Sequence, residues 1–130
     1  MKKLFLSVLL ALSLTGCATV KGWIPSFWDD NQSASIIHTR LAVDRLDCSK
    51  PHLPQVAPIR DNLRWFELYS QSKGWRQSDV LRIIGPMQQS VDDFYKRSVD
   101  EQGSTAYCEI KKKLLAKQAE TAAEAILGRF

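Results

Sequence analysis

The sequence predicts an all-α protein, a small antiparallel four-helix bundle with one disulfide, preceded by a signal peptide and a short tether. Three observations carry this. Apolar residues recur at spacings of three and four in four separate segments, the period of an amphipathic helix. Gly and Pro gather between those segments, where they end one helix and allow a turn to the next. No stretch alternates apolar and polar residues as a half-buried strand does. The 130 residues suit a single domain, and 45% apolar with 25% charged residues is an ordinary globular balance. Four Trp, five Phe and three Tyr exclude a disordered chain of low hydrophobicity.

The elements follow in order. Met1-Lys2-Lys3 is a short basic segment, and Leu4 to Leu14 is apolar or small throughout, the pattern of an export signal. The signal ends in Leu14-Thr15-Gly16-Cys17, which resembles the bacterial lipobox. That resemblance implies cleavage before Cys17, two acyl chains on its sulfur and a third, palmitate-like chain on the new amine. Each buried CH2 contributes about 0.8 kcal/mol, so several chains hold the protein to a membrane without a spanning helix. Ala18 follows in place of the Asp that retains such proteins at the inner membrane, which implies the periplasmic face of the outer membrane. Residues 1–16 are thus read as signal peptide, 17–29 as acylated Cys and tether, and 30–130 as the bundle. Loss of Lys2 and Lys3 leaves 16 basic against 14 acidic side chains, no argument for nucleic acid.

The tether carries Trp23, Phe27 and Trp28, which are candidates for the membrane interface, where amphipathic aromatics are favoured. For Trp23 the two readings, interface and core cover, balance; for Phe27 and Trp28 the favoured reading is that they cover the end of the helical core. Asp29-Asp30-Asn31 then offers capping oxygens to a first helix over 30–48. Ala34, Ile37, Leu41 and Cys48 mark its expected inner stripe, widened by Ile36, Val43 and Leu46. Pro51 and Pro54 interrupt it. A second helix is expected over 56–73, with Pro58 in its first turn and Val56, Ile59, Leu63 and Phe66 inside. Gly74 stops it. Ser78 can cap a third helix, with Val80, Ile84, Met87, Val91 and Phe94 inward and a kink or break at Gly85-Pro86. Gly103-Ser104 closes that helix, and a fourth is expected over 104–127. It offers two neighbouring stripes: Tyr107, Ile110 and Leu114, then Leu115, Ala119, Ala122 and Ile126. The expected core includes Ile37, Leu41, Ile110 and Leu114.

Acylated Cys17 leaves Cys48 and Cys108, an even number in an oxidising compartment. Up-down-up-down helices with short loops bring the end of the first helix and the start of the fourth to one pole. Cysteine count and helix order therefore predict the same Cys48–Cys108 bridge. A redox or metal role lacks both a C-x-x-C motif and a His at ligand spacing.

The chain carries no G-x-S-x-G elbow and no phosphate-binding loop. His38 falls within the first helix, far from suitable partners. Asp92-Asp93, Glu120 with Glu124, and Lys111-Lys112-Lys113 read as solvated helix faces. The expectation is a non-enzymatic module with no catalytic residues, no metal, no cofactor and no small-molecule substrate. Binding of another envelope protein remains. Trp65, Tyr69, Trp75 and Tyr95 exceed what a small core needs, and aromatics are enriched in binding hot spots.

The arrangement of lipobox, four helices and a disulfide from the first-helix end to the last helix resembles the small α-helical pilotins of type II secretion. The segments that carry it are Cys48-Ser49-Lys50-Pro51-His52-Leu53-Pro54, Lys73-Gly74-Trp75 and Cys108. That resemblance implies a protein that binds a short C-terminal secretin segment as a helix and conveys it to the outer membrane. The chain is also similar to compact lipoproteins carried by bacteriophage genomes, which implies a role in lysis or superinfection exclusion.

Overall fold

A computed structural model of the chain describes residues 28–101 and 103–128. These residues form a four-helix bundle, and its first helix is set by a single side chain. Asp29, with extended backbone, accepts a hydrogen bond from the Gln32 N–H at 2.9 Å and caps α1, Asp30–Asp44. This helix ends before Cys48, which stands in the following turn. There Asp47 accepts from the Ser49 N–H at 3.0 Å and from the Ser49 hydroxyl at 2.6 Å.

The second helix, α2, spans Leu53–Ser72 and begins earlier than its apolar pattern suggests. Pro54 occupies its first turn, where a missing N–H costs nothing. Pro58 is interior instead, on an exposed face. Gly74, at φ 90°, then reverses the chain, a left-handed conformation that disfavours any side chain. One 3-10 turn, Trp75–Gln77, leads into α3, Ser78–Asp100. That helix runs unbroken through Gly85-Pro86. Pro86 and Arg82, whose carbonyl loses its helical partner, are both exposed, so water can serve that carbonyl. The last helix, α4, is Thr105–Leu127, capped by Ser104 accepting from the Tyr107 N–H at 3.2 Å.

The helices pack in a ring, each on its neighbours in sequence, with α1 closing onto α4. The proximal pole holds the start of α1, the end of α2, the start of α3 and the end of α4. Its core layer contains Ile36, Phe66, Val80, Ile84, Ala122 and Ile126. The distal layer contains Val43, Ile59, Leu63, Met87, Phe94 and Leu115, with Cys48 and Cys108 at its outer end. Those cysteines are bonded, with Cα atoms 5.6 Å apart. Among the described residues no helix is long and apolar enough to cross a membrane.

Two expected stripes are corrected. Ile37 and Leu41 are 50% and 44% exposed, and Ile110 and Leu114 are 66% and 42% exposed. The inner face of α1 instead carries Gln32, Ser35, Ile36, Thr39 and Val43. Hydrogen bonds make that burial affordable: Asn62 donates to the Ser35 carbonyl at 2.9 Å and to the Thr39 hydroxyl at 2.6 Å. On α4 the inward stripe is Cys108, Leu115, Ala119, Ala122 and Ile126. Its alanines let neighbouring helices approach, which turns the larger Ile110 and Leu114 outward.

Candidate functional site

The described candidates separate into a proximal aromatic group and one outlying tyrosine. Asp29 organises the first. Besides capping α1, its carboxylate accepts from the Tyr69 hydroxyl at 3.1 Å and from the Lys73 ammonium. Asn31 donates to the same Tyr69 oxygen at 2.9 Å. Partial burial opposes ionisation of Asp29, but the bonds from Lys73, the Gln32 N–H and Tyr69 outweigh it and hold the carboxyl below its usual range. The same contact raises the Lys73 ammonium above its ordinary value.

Trp65 stacks on the fixed Tyr69 ring, with centroids 5.0 Å apart and planes 7° from parallel. Lys73 lies over the other partner of that stack, 5.4 Å from the Tyr69 centroid. Trp65 is still 47% exposed, and Leu68 beside it is 50% exposed. This places a flat, pre-ordered apolar surface near the end of α2.

Trp28 and Trp75 lie at the pole itself. Trp28 donates its indole N–H to Asp30 at 2.6 Å, and Trp75 packs its ring under the Arg76 guanidinium at 5.4 Å. Both are 45% exposed. Beneath them the pole is sealed by amides: Gln32 donates to the Ser70 hydroxyl at 2.9 Å and to the side-chain Oε1 of Gln77 at 2.8 Å. Trp28 and Trp75 thus share the pole itself, and Trp65 lies about 10 Å from it along α2. Cys17, Trp23 and Phe27 lie outside the described residues.

Tyr95 is apart from this group. Arg60 covers its ring at 4.5 Å and donates to Asp92 at 2.6 Å. Arg60 and Trp65 are five residues apart on α2, so they face flanks about 140° apart. Arg60, Arg64, Glu67, Gln88 and Asp92 line a groove of about 390 Å³ between α2 and α3, floored by Leu63 and Val91. Sequence reading missed this groove, because Arg60 and Asp92 are 32 residues apart and only the packing of α2 on α3 joins them.

At the distal pole the rings are covered. Phe94 is fully buried and meets His52 and Tyr107 edge-on, at 5.8 and 5.7 Å. Arg97 and Lys111 lie over Tyr107 at 4.4 and 5.7 Å. Lys112 donates to the Leu46 carbonyl at 2.6 Å, so the basic run on α4 is divided between separate tasks. His52 is buried, its Nε2 3.3 Å from the Cys48 carbonyl. No group of three or more His, Cys, Asp or Glu among the described residues could hold a metal ion. No protein-family model, curated protein or solved structure matches the chain.

Proposed function

We propose that the mature protein is anchored by lipid at Cys17 to the periplasmic face of the outer membrane and acts there by binding another envelope protein, without catalysis. The observation that carries the binding role is the exposed Trp65–Tyr69 stack. Its tyrosine is held by Asp29 and Asn31, so the surface is ordered before a partner arrives. Pre-ordering lowers the entropy lost on association, and Trp and Tyr are enriched among residues that dominate binding energy. The lipobox supports the anchor, and the disulfide suits an oxidising compartment.

A photocrosslinking residue at position 65, in intact cells, should join the protein to one dominant envelope partner. Trp65→Ala should weaken that complex at least tenfold while leaving the fold intact by circular dichroism. Capture of no partner, with measurable turnover of a cell-wall substrate by the purified protein, would sink the reading. Mass spectrometry of membrane-extracted protein should find the acyl mass on Cys17.

The Cys48–Cys108 bridge, from the turn after α1 to the first turn of α4, favours a second reading. A pilotin-like protein would bind a C-terminal secretin segment as a helix. Titration with such peptides should then saturate, and the α2–α3 groove or the Trp65 flank should be protected from hydrogen exchange.

A further inference from the structure

We propose that the proximal pole seats on the phospholipid headgroups, with the bundle standing end-on and Trp28 and Trp75 in the interface. This rests on the lipid-anchor reading above. Three observations on the molecule point to it.

The first is where the chain leads. Ten residues separate Cys17 from Trp28, and they span at most about 35 Å when fully extended. Trp28, at the proximal pole, is therefore within about 35 Å of the acylated Cys.

The second is the distribution of rings. Trp28 and Trp75 are each 45% exposed at this pole, and the indole is the side chain most at home between hydrocarbon and water. The distal pole exposes less of its rings: Phe94 and His52 are buried and Tyr107 is half-buried. The turns there expose Ser49, Lys50, Asp100 and Glu101, which suit water.

The third is the shape of the turn that carries Trp75. Gly74 at φ 90° and the Trp75–Gln77 turn join the end of α2 to the start of α3 at this pole, and Gln77 is tied inward to Gln32. Arg76 beside the indole supplies a cation for a lipid phosphate. Trp65 lies seven residues before the end of α2, about 10 Å along the helix from the pole. End-on seating therefore leaves the Trp65 indole above the headgroups and open to a protein, with Tyr69, three residues before the end of α2 and bonded to Asp29, nearer to them.

The test uses the full, acylated protein in vesicles of phosphatidylethanolamine and phosphatidylglycerol. One variant keeps Trp75 alone (Trp23→Phe, Trp28→Phe, Trp65→Phe), and another keeps Trp65 alone (Trp23→Phe, Trp28→Phe, Trp75→Phe). Emission from Trp75 should shift to the blue on vesicle binding and be lost to lipids brominated near the glycerol. Emission from Trp65 should change in neither respect. Protein that floats with the vesicles while Trp75 stays unshifted and unquenched overturns end-on seating and leaves the anchor intact. Equal quenching of Trp65 and Trp75 overturns it too, because the bundle then lies on its side. Crosslinking of position 75 to a protein partner in cells, with no lipid quenching, assigns this pole to protein instead. Absence of the acyl mass, or failure to float, strikes the lipid-anchor reading itself.

Discussion

The two halves of this bundle are closed by different chemistry. The distal half ends in a covalent bridge over an apolar layer that includes fully buried Phe94. The proximal half ends in hydrogen-bonded amides and hydroxyls, Gln32 with Ser70 and Gln77, and in the Asp29–Lys73–Tyr69 cluster. A disulfide acts chiefly on the unfolded chain and asks little of its neighbours. A buried polar network does the reverse: its net contribution is modest when complete, and a missing member leaves its partners unsatisfied. The covalent end can therefore hold its shape through local substitutions that the proximal end cannot absorb.

The largest expected effect removes the distal bridge. Cys48→Ser with Cys108→Ser should lower stability by about 4 kcal/mol, the chain-entropy value for a loop of this length. Denaturant unfolding of the variant, against the oxidised and reduced parent, checks this. A loss below about 1 kcal/mol would show that the apolar layer alone holds the distal end.

Gln32→Ala should come next, at about 1–3 kcal/mol, since it orphans the buried Ser70 and Gln77 groups. Native-state hydrogen exchange should report the loss at Ser70 and Gln77 before it reaches Phe94. Uniform loss across both halves would break the contrast between them.

Asp29→Asn should cost about 1 kcal/mol near neutral pH, because an amide still caps α1 but no longer pairs with Lys73. The sign with pH is fixed by a folded carboxyl held below its ordinary value of 3.8. The benefit is complete above that value and is lost as pH falls through the lower, folded value. Acid titrations of parent and variant should accordingly converge at low pH. Asp47, held down to about 2 by the Ser49 hydroxyl and N–H and by Lys50, contributes in the same direction at the distal end.

The smallest effect runs the other way. A Cβ at Gly85 would meet nothing within 4 Å, and the residue is interior to α3. Gly85→Ala should add at most about 0.5 kcal/mol, read as a slightly raised melting temperature, because crowding of the new Cβ against the following Pro86 ring offsets part of the helix-propensity gain. It would strengthen the proximal layer beside Ile84.

How far the sequence could be read differed by helix for the same physical reason. On α2 and α3 the inner face is an apolar stripe at helical spacing, so Ile59, Leu63, Phe66, Ile84, Met87, Val91 and Phe94 were identifiable and are buried. On α1 the inner face is hydroxyl and amide, paired with Asn62, Ser70 and Gln77, while Ile37 and Leu41 face out. Periodicity registers apolarity and cannot see a partner 23 or more residues away. On α4 small alanines outcompete Ile110 and Leu114 for the inside, a choice made by interhelical distance rather than by local hydropathy. The bridge was legible because helix order constrained it. The Trp65–Tyr69 pair could be named from composition, but its fixing by Asp29 and Asn31 could not, since that depends on where α1 meets the end of α2.

The bridge also decides how the protein bears a load. A pull applied between a point before Cys48 and a point after Cys108 travels along α1, across the sulfur–sulfur bond and into α4. The 60-residue separation spanned by the bridge includes all of α2 and α3, and this loop carries no tension along its own backbone. Under such a pull, Trp65, Tyr69, Tyr95 and the α2–α3 groove lie off the line of force. Tension would peel α1 and α4 from the hairpin only as far as the bridge, and the α2–α3 pair could not be drawn out into an extended strand.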